Sequence, residues 1–402
     1  MSGLREILFL AHRIPYPPDK GDKIRSWRLV EHLSRRFRVH LAAFVDDRTD
    51  FAHEAFLAGV CESVFLVPLD PPAAKLRSAA GLVTGEPLSF PYFRDSRMQR
   101  RIDELRARGL AAEFAFSSAM APYIAKPRGG RPRIVDLCDA DSEKWRQYAA
   151  ETGGPMSLIY AREAETLARR ETEIIGWADA AFAVSAEEAA IFNARAGVGR
   201  SCDWFGNGVD VEHFRPSADR PAPEPSADIV FTGAMDYRAN IDAVRWFARE
   251  VWPIVRAKAP EARFAIVGAR PSGAVRALDG RDGVAVAGRV EDVRPWLQHA
   301  SAVVAPLRIA RGVQNKMLEA MAMARPVVAT SGAAEGIDAR EGEEFILADA
   351  PEAFAASVLW LMSDRKRGDA IGASARARMK AAYAWPARLS RLDAALARLG
   401  LD

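Results

Sequence analysis

An α/β protein built of two doubly wound domains is the fold class this sequence predicts, on three observations. Short apolar runs alternate with amphipathic stretches throughout the chain. Its 402 residues suit two domains of ordinary size better than one. The alternation also restarts after an internal break, residues 217–227, which carries Pro221, Pro223 and Pro225 among small and charged residues and reads as a linker or exposed loop. Apolar runs of strand length, each followed by a turn, fit strands buried on both faces, as in parallel sheets covered by helices.

In the first half the expected strands are residues 7–10, 39–45, 64–67, 114–116, 134–135 and 181–184. Between the first two, residues 23–36 place Ile24, Trp27, Leu29, Val30 and Leu33 on one helical stripe. After the break the expected strands are residues 229–232, 264–267, 284–287, 303–305, 327–330 and 345–347. Doubly wound sheets take ligands beyond the carboxyl ends of their strands, so the expected site is a cleft that two such domains face.

Composition narrows the function. A formal charge of only +3 gives no nucleic-acid footprint. Arginines are locally dense at Arg94, Arg97, Arg100, Arg101, Arg106 and Arg108, which reads either as a solvated helix face or as a surface for anionic lipid. Cys61, Cys138 and Cys202 have no metal-ligand spacing and read as buried, reduced thiols. With no signal-peptide pattern and no apolar stretch of membrane-span length, the expected location is cytoplasmic, contact with the inner face of the membrane being left open.

Residues 11–21, Ala-His-Arg-Ile-Pro-Tyr-Pro-Pro-Asp-Lys-Gly, follow the first strand without a G-x-G-x-x-G spacing. Residues 268–273 lack the Lys-Ser/Thr pair of a phosphate-binding P-loop. Dehydrogenase and NTPase readings are therefore set aside. His12 reads equally as a turn histidine or a cleft residue.

Residues 305–328 carry the most chemistry. An apolar strand enters a loop containing Gly312, and a helix opens near Asn315. Glycine lets backbone approach a ligand, and a helix start presents unpaired N–H groups and the positive end of its dipole, an arrangement that suits a diphosphate. Glu319, one turn on, is placed to accept from ribose hydroxyls. The alternative is a plain turn and a solvated glutamate.

This segment resembles the donor signature of family 4 glycosyltransferases, retaining enzymes with the GT-B fold of two Rossmann-like domains. Glu319 matches the second Glu of that signature, while Arg311 stands where the first belongs. The resemblance extends in order through Gly206-Asn-Gly-Val-Asp210, Phe231-Thr-Gly233, Gly288-Arg-Val-Glu-Asp292 and Tyr383-Ala-Trp385. It implies an acceptor-side domain over residues 1–205, completed by a returning helix at 384–402, and a donor domain over 206–383. It implies donor contacts at Gly233, Arg238, Arg289, Gly312, Val313, Gln314, Lys316 and Glu319, with Lys316 and Arg238 as the cations for the diphosphate. In the first domain, residues 17–21 resemble a donor-facing loop, bringing in Gly21 and Lys23, with an ordinary turn as the rival. Residues 235–240, 312–316 and 139–145 resemble the sugar transferases of exosortase (PEP-CTERM) and exopolysaccharide clusters.

Asp136, Asp139 and Asp141 follow the strand at 134–135. Asp139 and Asp141 are the candidate catalytic carboxylates; the rival readings are a helix cap by Asp141 or Ser142, and a metal-binding D-x-D pair. The implied reaction moves a sugar from a nucleotide-diphosphate sugar, with retention and without metal or other cofactor, to a sugar or lipid-linked glycan acceptor. A sugar-nucleotide epimerase and a non-catalytic nucleotide-sugar-binding protein are the rival functions.

Overall fold

The computed structural model describes residues 4–126, 129–197, 199–309 and 312–402. The chain forms two compact units, Met1–Gly206 with Leu389–Asp402, and Asn207–Arg388.

The first unit holds seven strands: β1 (Glu6–Ala11), β2 (Arg38–Val45), β3 (Ser63–Pro68), β4 (Ala112–Phe116), β5 (Arg133–Cys138), β6 (Ala180–Ala183) and β7 (Cys202–Trp204). They pair in parallel in the order β3-β2-β1-β4-β5-β6-β7. Ile7 to Ala11 are wholly buried, as a central strand covered by helices on both faces requires. The sequence signalled every strand but β7, a three-residue edge strand with an aspartate at its centre.

The helix Gly21–Ser34 lays Trp27, Leu29, Val30 and Leu33 on this sheet and also buries a charge, Arg25. The Arg25 guanidinium donates to both oxygens of Asp136 on β5, at 2.7 and 3.1 Å, and to the carbonyls of Phe205 and Ala183 at 2.8 and 3.4 Å. Its Cζ lies 3.9 Å from the Phe205 ring centroid. One side chain thus ties a helix to the ends of β5, β6 and β7.

The second unit holds β8 (Ile229–Thr232), β9 (Phe264–Val267), β10 (Val284–Gly288), β11 (Ala302–Ala305), β12 (Val327–Ala329) and β13 (Ile346–Leu347). Their order is β10-β9-β8-β11-β12-β13, again parallel. Strand order reverses between β1 and β4 in one sheet and between β8 and β11 in the other, the switch points at which such sheets bind ligands. Beyond β9, Gly268 packs so tightly on the turn after β8 that a Cβ would lie 1.7 Å from the Gly233 carbonyl oxygen.

Three expectations need correction. The Pro-rich stretch lies inside the second unit and does not join the two. Its Ser217 amide donates to Gln298 Oε1 at 3.0 Å, and the Arg220 carbonyl meets His299 Nε2 at 2.8 Å. The chain passes between units at Gly206–Asn207 instead. The returning segment begins at Leu389, because residues 384–388 stay with the second unit through a bridge from Ala384 to Val209. Cys138 is half-buried, whereas Cys61 and Cys202 are buried.

Breaking the Arg25–Asp136 pair leaves a buried guanidinium with no counter-charge. Asp136→Ala should cost about 3–5 kcal/mol, measured by urea unfolding followed with first-unit tryptophan fluorescence.

Candidate functional site

The switch point of the second sheet gathers polar groups from both sides of the strand-order reversal. After β8 the chain turns at Gly233 and enters the helix Arg238–Trp246. After β11 it passes Gly312, in the left-handed region at φ 65°, and enters the helix Asn315–Ala322. Lys316 reaches from the second helix to the first, donating to Asn240 Oδ1 at 2.5 Å, and Asn240 Nδ2 donates to the Ala234 carbonyl at 2.9 Å. A side chain at 233 would collide with this bridge, its Cβ falling 2.7 Å from Asn240 Nδ2. The absence of a side chain there is what lets lysine and asparagine meet.

The electrostatics are unusual. The Lys316 ammonium sits 4.7 Å from the centroid of the Phe231 ring, and its hydrogen-bond partner is a neutral amide. Burial pulls it down to about 7, with Glu319 opposing. Burial pushes Glu319 up to about 7, with Lys316 opposing. The Glu319 carboxylate makes no hydrogen bond or ion pair among the described residues. Thr232 Oγ1 and Asn315 Oδ1 are also screened from solvent without a partner among the described residues. A cation, a carboxylate and two unpaired oxygens converge on one pair of strand ends.

The other expected donor contacts are distributed around this centre. Arg238 opens its helix, its side chain exposed and without a hydrogen bond or ion pair among the described residues. Gln314 is the N-cap of the helix Asn315–Ala322 and donates to the Gly312 carbonyl at 3.0 Å. Val313 is half-buried against the core. Arg289 follows the edge strand β10, two strands from β8. Arg311 lies outside the described residues.

In the first unit Gly21 opens a helix, as expected, but Lys23 is only 2% exposed and is held by Asp50 at 2.6 Å. It offers no free ammonium. Asp139 is exposed beyond β5, while Asp141 begins the helix Asp141–Glu151 and is bound to Lys144 at 2.9 Å. Neither Asp141 nor Ser142 caps that helix with its side chain. Carboxylates from elsewhere do so: Glu171 accepts from the Ser142 amide at 3.2 Å and Glu188 from the Ala140 amide at 2.6 Å. Burial pushes Glu171 up to about 7. Among the described residues no group of His, Cys, Asp or Glu is arranged to hold a metal ion.

Sequence reading had marked Lys316, Glu319 and Gly233 but not Asn240. The only available signal was an amide placed early in a helix beside a Gly turn. The dense arginines also resolve. Arg106 is buried on Glu113, while Arg94, Arg97 and Arg101 pair with Glu86, Asp95 and Glu104.

Residues 226–364 match the sequence family described as Glycosyl transferases group 1. No curated protein matches the sequence. Several solved structures share the fold. Sucrose-phosphate synthase from Thermosynechococcus elongatus is 18% identical with a TM-score of 0.71, covering 98% of this chain and 99% of its own. HepE from Anabaena, in complex with UDP and glucose, is 15% identical with a TM-score of 0.68, covering 98% of this chain and 100% of its own. WaaG, a glycosyltransferase involved in lipopolysaccharide biosynthesis, is 14% identical with a TM-score of 0.64, covering 97% and 99%. The two Rossmann-like units are those of the GT-B fold.

Lys316 carries a linkage signature. Its folded pKa lies below the usual lysine value, so below about pH 7 the buried charge opposes folding in full, and this penalty disappears as pH rises towards 10.5. Lys316→Met should therefore melt higher than the parent by several degrees at about pH 6, with the gap narrowing towards about pH 10. Melting curves of both proteins across that range are the check.

Proposed function

We propose that the protein is a glycosyltransferase that binds a nucleotide-diphosphate sugar on its second unit and transfers the sugar to a glycan acceptor. One observation carries this reading. At the switch point of a segment matching a glycosyltransferase family, Lys316 is held ready on a neutral partner, with Glu319 unpaired one turn away.

Each group has a distinct task. Lys316, the first N–H groups of the helix Asn315–Ala322 and the loop at Gly312–Gln314 take the diphosphate, with exposed Arg238 as a second cation. Glu319 accepts from the ribose hydroxyls. Arg289 and its neighbours after β10 meet the base. A bound diphosphate favours the charged form of Lys316, and that cation in turn favours ionised Glu319. As the sugar–phosphate bond breaks, charge grows on the departing diphosphate, and lysine and loop amides stabilise it without a metal ion. The acceptor oxygen bonds to the anomeric carbon on the face the diphosphate leaves, which retains configuration, and its proton passes to the leaving phosphate. Asp139, the acidic group left exposed beyond β5, is the carboxylate we assign to the acceptor side.

The acceptor we propose is lipid-linked, and the protein meets it at the cytoplasmic face of a membrane. No helix among the described residues is long and apolar enough to cross a membrane. Large apolar side chains nonetheless stand in solvent on the first unit: Leu76 is 78% exposed, Val83 90% and Leu158 75%. They share a neighbourhood. Arg162 donates to the Gly81 carbonyl at 2.5 Å, and Leu158 lies one helical turn before Arg162. Residues 71–85 and 152–162 contain Lys75, Arg77 and Arg162 but no acidic residue. An apolar surface that carries these cations, with Asp70, Glu86 and Glu151 only at its edges, suits an anionic bilayer.

Two measurements test these readings. Calorimetry with UDP, the nucleotide bound in the HepE structure, should show binding that is unchanged by a chelator. Glu319→Gln should weaken that binding by about 1.5–3 kcal/mol with the fold intact. Unchanged affinity would assign Glu319 to an ordinary helix surface. Sedimentation with anionic vesicles should pellet the protein, and Val83→Asp with Leu158→Asp should release it while UDP binding persists.

A further inference from the structure

β1, β4 and β5 stand side by side in the first unit, with Ala11 paired to Phe116 and Phe116 to Asp136. The residues just past these pairs, His12, Ser117 and Cys138, therefore emerge together at that sheet's own switch point. Their local structure is costly. Ser117 has φ 78° and ψ 152°, a region open essentially to glycine alone. Cys138 follows at φ 64°. The strain on Ser117 is held in place by its amide, which donates to the Asp136 carbonyl at 2.8 Å. Two polar atoms at the same strand ends, His12 Nδ1 and Ser117 Oγ, are screened from solvent and have no partner among the described residues. Buried polar atoms are nearly always paired, so two orphans beside a strained serine mark a place where something else binds.

His12 is fixed in one orientation. Its ring stacks on Phe116, with centroids 5.7 Å apart and planes 13° apart, and meets Phe93 edge-on at 5.8 Å. Its Nε2 lies 3.3 Å from Asp22 Oδ2, which also receives Arg13 at 2.6 Å. Burial pushes Asp22 upward, but hydrogen bonding and charge from His12 and Arg13 outweigh it and hold the carboxyl well below the usual range. Asp22 accepts from Nε2, so Nδ1 is the ring atom left to bond another group at the strand ends. A hydroxyl answers Nδ1 whether it donates or accepts. Ser117 Oγ both donates and accepts. Together they fit a neutral polyol.

We infer that His12 and Ser117 form a hydroxyl-binding site of the first unit, which takes a sugar ring of the acceptor. His12 Nδ1 bonds one hydroxyl, and Ser117 Oγ donates to a neighbouring oxygen. That the sugar is the acceptor rests on the glycosyltransferase reading; that the site binds a sugar does not. Strain at Ser117 is then the cost of aiming its hydroxyl.

Nitrogen NMR of the full chain labelled at histidine tests this, with His12 assigned by its absence in His12→Gln. The expected spectrum has His12 protonated on Nε2. D-glucose or N-acetyl-D-glucosamine should shift Nδ1 saturably. Ser117→Gly should abolish that response and raise the melting temperature, because glycine adopts the same backbone without strain. A His12 resonance that neither sugar moves, showing only exchange with a bound water, overturns the site, as does a Ser117→Gly protein that keeps the sugar response or melts lower. Calorimetry with UDP on the same variant separates the two readings. A parent protein that binds sugar at His12 but no UDP sinks the glycosyltransferase reading and leaves the site standing.

Discussion

A parallel sheet covered on both faces has no room for polar chemistry except at its strand ends, and both units follow from that constraint. Ile7 to Ala11 and Ile229 to Phe231 are wholly buried. His12, Ser117 and Asp136 in the first sheet and Thr232, Gly233 and Lys316 in the second all lie at the carboxyl end of a strand or in the connection that follows it. The reversal of strand order then decides which ends matter, because only there do the connections depart in opposite directions and leave neighbouring groups uncovered.

The two sheets use this edge differently. In the first, Arg25 is fully answered: a carboxylate takes two of its N–H groups and backbone carbonyls take others. Its desolvation is offset within the fold, and its work is to hold a helix and three strand ends together. In the second, Lys316 is answered only by an amide oxygen and a ring face. Its charge is tolerated rather than neutralised, which is why burial moves its proton affinity so far. A fold that merely needed a bolt between Asn240 and the helix after β11 had cheaper ones available.

The strands were legible because burial on both faces demands unbroken apolar runs, and residues 229–232 and 264–267 are such runs. β7 escaped because an edge strand carrying Cys-Asp-Trp has no such demand placed on it. That Lys316 and Glu319 stand together at the start of a helix was legible from a loop–helix pattern confined to a few residues. The buried pairing of Lys23 was not legible, because its partner, Asp50, is 27 positions away and nothing local announces it. The helix at Asp141 looked self-capping, yet its amides are met by Glu171 and Glu188 from distant helices. Proline content marked residues 217–227 as a connector, but composition cannot say which side of a boundary a connector lies on. Gln298 decided that through two hydrogen bonds to Ser217.

The segment Leu389–Asp402 belongs to the first unit, although the whole second unit precedes it. Asp393 there receives His32 and Arg36, each at 2.7 Å, and Arg391 reaches Asp203 at 2.6 Å. During synthesis, therefore, the second unit emerges complete while the first still lacks a wall. Leu392, Ala395 and Leu396, buried in the finished protein, are absent from that wall until the ribosome has passed them. The unit whose strands come first is thus the one closed last, and a chain cut after residue 388 leaves that unit open along one side, with apolar surface exposed that the full fold buries.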